Sequence, residues 1–190
     1  MVGNLVKKNS KSIRGFNLIE IAIVLAVIGV IVGGVYVAAS SVYENNRKQT
    51  AQTQLLNIVN NIRQLHSGQS SIDTAFNTAS AINANAVPAD MVSGTTANSP
   101  YGSVVIAAPS TSTFSVQFQD LSKSSCIEMV SRIAGSSISA TSMGVTSITV
   151  ASSTYTTAGG TIPVTVTTLT SACSATATAN DVTMVFNIRT

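Results

Sequence analysis

From Ile21 to Ala39 the sequence runs for 19 residues without a charge, an Asn, a Gln, a Pro or a His. About 20 apolar residues cross the hydrocarbon core of a bilayer as a helix. This run is apolar all round, as a membrane span or the core of a helix bundle is. One acid, Glu20, stands at its start. An ionised carboxylate in an apolar span costs on the order of 3 kcal/mol or more and normally has a functional reason to be there.

The charge is uneven. The net charge is +3, yet Lys7, Lys8, Lys11 and Arg14 lie ahead of the apolar run with no acid among them. Without residues 1–15 the chain has six basic and seven acidic side chains. The basic excess therefore belongs to the leader and does not describe a nucleic-acid surface. Positive charge before a span keeps that end cytoplasmic, which sends the rest of the chain across the membrane.

Gly15 closes the basic leader, and Phe16-Asn17-Leu18-Ile19-Glu20 follows it. The fifth residue after the glycine is thus an acid. In this arrangement the chain resembles the type IV prepilins, whose common text is F-T-L-I-E. The resemblance implies cleavage after Gly15 by a prepilin peptidase and N-methylation of the new terminus at Phe16. It also implies that Glu20 sets register by pairing with the terminal amine of a neighbouring subunit. Two other readings compete. One is an ordinary membrane anchor with a stray acid. The other is a secretory signal peptide cut before Ser40, after Val37-Ala38-Ala39. The apolar stretch exceeds the usual signal core of about 7–15 residues, and cleavage there would leave Glu20 without a purpose.

No proline occurs from residue 16 to about 66, so one long helix is expected, roughly 75 Å at 1.5 Å per residue. Its second half, from Tyr43, is amphipathic, with Ala51, Leu55, Ile58, Val59, Ile62 and Leu65 as an apolar stripe. Gly68 is the expected cap. Gly29, Gly33 and Gly34 weaken the helix and permit close helix packing; the alternative, which the resemblance to the pilins implies, is local unwinding during assembly. Residues 69–101 read as a helix-and-loop connection. Strands are expected at 103–107, 113–119, 145–150, 161–168 and 182–188, with a short helix opened by Asp120-Leu121-Ser122 and running to about Ala134. Gly159-Gly160 reads as a hairpin turn.

This order is similar to that of the class B type IV pilins. Asn98-Ser99-Pro100-Tyr101-Gly102 resembles the Asn-Pro-aromatic-Gly turn of that class with an inserted Ser. The fold implied is α+β: a long N-terminal helix, its apolar half protruding, packed on an antiparallel β-sheet head. The expected organisation is a leader at 1–15, a long helix at 16–68 and a head at 69–190. Cys126 and Cys173 are the only cysteines. In an export compartment they are expected to pair; two reduced, buried thiols are the alternative.

No catalytic, cofactor-binding or metal-binding group is expected. His66 reads as a surface residue near a helix end, and Glu128 and Arg132, four apart, as a helix-surface ion pair. The implied function is a structural subunit of a type IV pilus. It would be held in the inner membrane as a precursor, with its leader cytoplasmic, and reach the cell surface in a homo-oligomeric filament. The expected partners are the peptidase and the pilus assembly machinery, with no specific nucleic acid. The alternatives are a minor pilin or type II secretion pseudopilin, and a monomeric membrane-anchored binding domain.

Overall fold

A computed structural model describes residues 18–173 and 180–189. The leader, Gly15 and Phe16 lie outside the described residues. Helix α1 (Leu18–Leu65) is continuous over 48 residues. The chain divides into two compact units after Tyr43.

In the first unit, every described residue from Leu18 to Tyr43 is exposed. Its Ile, Leu and Val side chains are exposed. Among the described residues, this is the one helix long and apolar enough to cross a membrane.

The second unit, from Glu44, is an α+β head. Its elements after α1 are α2 (Thr78–Asn83), β1 (Val92–Ser93), β2 (Thr96–Asn98), β3 (Ser103–Ser110) and β4 (Thr113–Phe118). Then come α3 (Lys123–Ala134), α4 (Ser137–Ser142), β5 (Val145–Val150), β6 (Ser153–Thr156), α5 (Val166–Ala172) and β7 (Val182–Asn187). The seven strands form one sheet in the order β1-β2-β3-β4-β7-β5-β6, and every pair is antiparallel. The last strand therefore inserts at the centre, between β4 and β5.

Alternation decides which side chains enter the core. Phe114, Val116 and Phe118 of β4 lie opposite Phe186, Met184 and Val182 of β7, and all six are fully buried. Phe114 and Phe186 stack at 5.5 Å. Ala51, Leu55, Ile58, Val59 and Ile62 of α1 join the same cluster. The spacing of three and four along the helix thus does what the sequence pattern requires.

Several local expectations need correction. Gly68 is not left-handed. Instead α1 ends in tight turns, with the Ser67 N–H bonded to Gln64 O and the Gln69 N–H to His66 O. His66 is buried, not a surface residue. Its ring meets Phe76 edge-on at 5.5 Å, and its Nδ1 lies 2.9 Å from Ile62 O. The alternating stretch 161–168 is not a strand. Pro163 has no N–H to give a ladder, and the Thr165 side chain accepts from Thr168 N–H, which starts α5 at Val166. Gly159-Gly160 does form a turn, with Gly160 at φ +66°, but residues 161–165 directly after it form no strand. The hairpin instead falls at Ala151-Ser152, between β5 and β6, where Ala151 takes φ +50°. A non-glycine residue there gives no turn signal in the sequence. Helix α4 and the small β1–β2 hairpin, turned at Gly94 with φ +63°, are further elements beyond the expected set.

The two faces of α1 in the head predict different mutational costs. Ile58→Ala, at a fully buried site, should lower stability by about 2–5 kcal/mol. Asn60→Ala, at an exposed site, should change it by less than about 0.5 kcal/mol. Urea denaturation of the detergent-solubilised protein measures both. Equal losses would contradict the packing described.

Candidate functional site

The functional surface begins with α1. Glu20 lies in its first turn and is exposed. The three ion pairs found among the described residues do not include it. Around and beyond it, the helix presents uncovered apolar side chains as far as Val42. Monomeric soluble proteins rarely expose contiguous apolar patches larger than a few hundred Å². A surface of this kind is built to be covered by lipid or by other helices.

The head starts with a polar cluster at Glu44. Glu44 Oε1 accepts from Tyr101 Oη at 3.1 Å and from Ser122 Oγ at 3.0 Å. The Ser125 hydroxyl lies 3.0 Å from the same oxygen and 2.7 Å from Tyr101 Oη. Arg47 reaches Glu44 Oε2 at 3.6 Å, lies over the Tyr101 ring at 4.2 Å and donates to Pro100 O at 2.6 Å. Ser122 also caps α3 through Ser125 N–H.

The turn at 99–102 is thus the pad on which the polar half of α1 sits. It closes through Ser99 N–H to Gly102 O at 2.8 Å. A side chain at Gly102 has no room, since a Cβ would lie 2.9 Å from Gln119 O and from Asp120 Oδ2. The sequence marks this turn but not its partner: Glu44 reads there only as one of several polar residues.

Burial alone would raise the Glu44 carboxyl. Hydrogen bonds from Ser122, Ser125 and Tyr101, together with the Arg47 charge, outweigh it and hold the group below its ordinary value of 4.5. Glu128 behaves alike. Burial raises it, while hydrogen bonds and charge from Arg132 and Lys48 lower it further than burial raises it. The expected Glu128–Arg132 pair is present at 2.9 Å, and Lys48 joins it at 3.3 Å.

Cys126, on α3, is bonded to Cys173, at the C-terminal end of α5. Both are buried. The bridge spans 47 residues of sequence, and closing such a loop restricts the unfolded chain by about 4 kcal/mol on the chain-entropy view. Among the described residues, no three His, Cys, Asp or Glu are grouped to hold a metal.

The PilS N-terminal family model matches residues 45–187. The chain belongs to this family. The crystal structure of a type IV b pilin from Salmonella typhi is similar, with a TM-score of 0.51 at 22% identity, over 72% of this chain and 95% of that one. No curated protein matches the chain. The fold is that of the type IV b pilin it matches, and family and fold together support a pilus-subunit role. In this PilS-family chain, Glu20 opens the exposed helix, Cys126 and Cys173 are joined, and the Gly15–Phe16 junction lies outside the described residues.

The Glu44 cluster predicts an acid-sensitive head. A carboxyl whose pKa is lowered by folding contributes stability above its unfolded value. That contribution is lost as pH falls through the folded value. Stability against urea should therefore decline below about pH 4.5, and Glu44→Gln should flatten part of the decline. An unchanged pH profile in that variant would contradict the role given to Glu44.

Proposed function

We propose that the chain is the structural subunit of a type IV pilus, processed after Gly15, methylated at Phe16 and polymerised through the apolar half of α1. The observation that carries this reading is the exposure of every described residue from Leu18 to Tyr43. Before assembly the bilayer covers that surface. In the filament, the same helices from neighbouring copies cover it, so apolar burial is retained through the transfer.

Glu20 gives the bundle its register. In the correct position its carboxylate meets the Phe16 amine of a neighbour. In a wrong one, both charges stay unpaired in an apolar core, and breaking such a pair costs roughly 3–5 kcal/mol. The role is structural rather than enzymatic. The partners are other copies of the chain, the prepilin peptidase and the inner-membrane assembly machinery, and the assembled filament stands at the cell surface.

The test compares membrane-bound protein with sheared surface filaments for the wild type, Glu20→Ala and Glu20→Gln. Removing a charge from an apolar helix should leave insertion no worse. Both variants should therefore accumulate in the membrane and fail to give filaments. Mass spectrometry of wild-type filaments should find N-methylated Phe16 as the first residue. A chain starting at Ser40 would overturn the pilus reading, and normal filaments from Glu20→Ala would overturn the pairing.

A further inference from the structure

The two flanks of α1 in the head carry unlike chemistry. On one, Asn46, Gln49, Thr53 and Asn57 line a polar groove of about 320 Å³ with Gln54 and Asp90. Asp90 is the one charged residue in its lining. Gln54 is only 6% exposed. Its Nε2 donates to Asp90 Oδ2 at 2.9 Å, while its Oε1 is buried with no hydrogen-bond partner among the described residues. A buried acceptor without a donor is unfavourable. Asp90 itself is exposed, and no cation lines the groove beside it.

The opposite flank is lined by Gln52, Leu56, Met129 and Arg132. Here Lys48 and Arg132 share one carboxylate, Glu128, so cations outnumber anions. The Lys48 side chain is 14% exposed and that of Arg132 is 61% exposed. The Arg132–Glu128 contact is an exposed i,i+4 pair of a kind that contributes little. A guanidinium has five N–H donors, which leaves Arg132 donors for a second acceptor.

At 3.6 residues per turn the two flanks lie roughly 130° apart around α1. They therefore face different directions. Two copies set side by side bring the acceptor flank of one against the cationic flank of the next. Such an unlike contact propagates as an open helix wherever the rotation does not close a ring.

We infer that Arg132 of one copy docks on the Asp90 carboxylate of the next, fixing how neighbouring heads meet. The planar guanidinium fork suits the two oxygens of a carboxylate, and a Lys ammonium suits them less. This rests on the pilus-subunit reading and adds to it a second contact, distinct from the one at Glu20.

The test is charge exchange in the full-length chain. Asp90→Arg and Arg132→Asp should each lower sheared filaments by about tenfold or more, because like charges are then forced together. Protein in the membrane fraction should be undiminished and its disulfide intact. The double exchange should restore most of the yield. Normal yield from either single variant, or a double variant no better than the singles, overturns the contact. If the reversed variants fail to accumulate in the membrane, Asp90→Cys with Arg132→Cys decides. A short bismaleimide should give covalent ladders in its filaments, and filaments without ladders overturn the contact. These outcomes leave the subunit reading standing. A wild-type chain that gives no filaments overturns both.

Discussion

The uncovered apolar surface of α1 between Leu18 and Tyr43 is the constraint on which everything else rests. Each buried Val, Leu or Ile side chain contributes about 1.5–3 kcal/mol relative to exposure, and this segment carries many of them, all exposed. A surface so costly in water must always be in contact with lipid or with protein. It follows that the head needs its own core. That core is the β4–β7 ladder, the apolar stripe of α1 and the Cys126–Cys173 bridge.

The head is poor in charge and rich in Ser and Thr, and its hydroxyls have structural uses. Ser122 and Thr165 cap α3 and α5. Ser122 and Ser125 also donate to Glu44. A carboxylate surrounded by hydroxyl donors and one guanidinium stays ionised while partly withdrawn from water. That is why few charges suffice here: each carboxylate in the head that packs against α1 is matched by donors from another element.

What the sequence revealed, and what it did not, follows the range of the interactions. The apolar run, the stripe from Ala51 to Ile62 and the alternation in Thr113–Phe118 are periodic and local, and they were legible as helix and strand. So were Glu20 and the two cysteines as residues of interest. The Glu44–Tyr101–Ser125 cluster joins positions up to 81 apart in sequence, and no local pattern signals it. The Gln54–Asp90 pair was hidden for the same reason. The stretch 161–168 alternates like a strand, yet Pro163 and the Thr165 cap turn it into a loop and a helix. At Ala151 the turn uses a residue that carries no turn signal. His66 is buried because Phe76, from the following loop, folds back over it, a contact that no pattern on the helix encodes.

The central claim is that one helix serves first as a membrane span and then as the filament core. The most direct measurement is a helical reconstruction of sheared filaments by electron cryomicroscopy at side-chain resolution. The account predicts residues 18–43 of each copy packed against the same residues of its neighbours along the axis, with the heads outside and each Glu20 carboxylate beside a neighbour's Phe16 amine. Filaments in which the heads alone make the contacts and residues 18–43 are absent or exposed would contradict it.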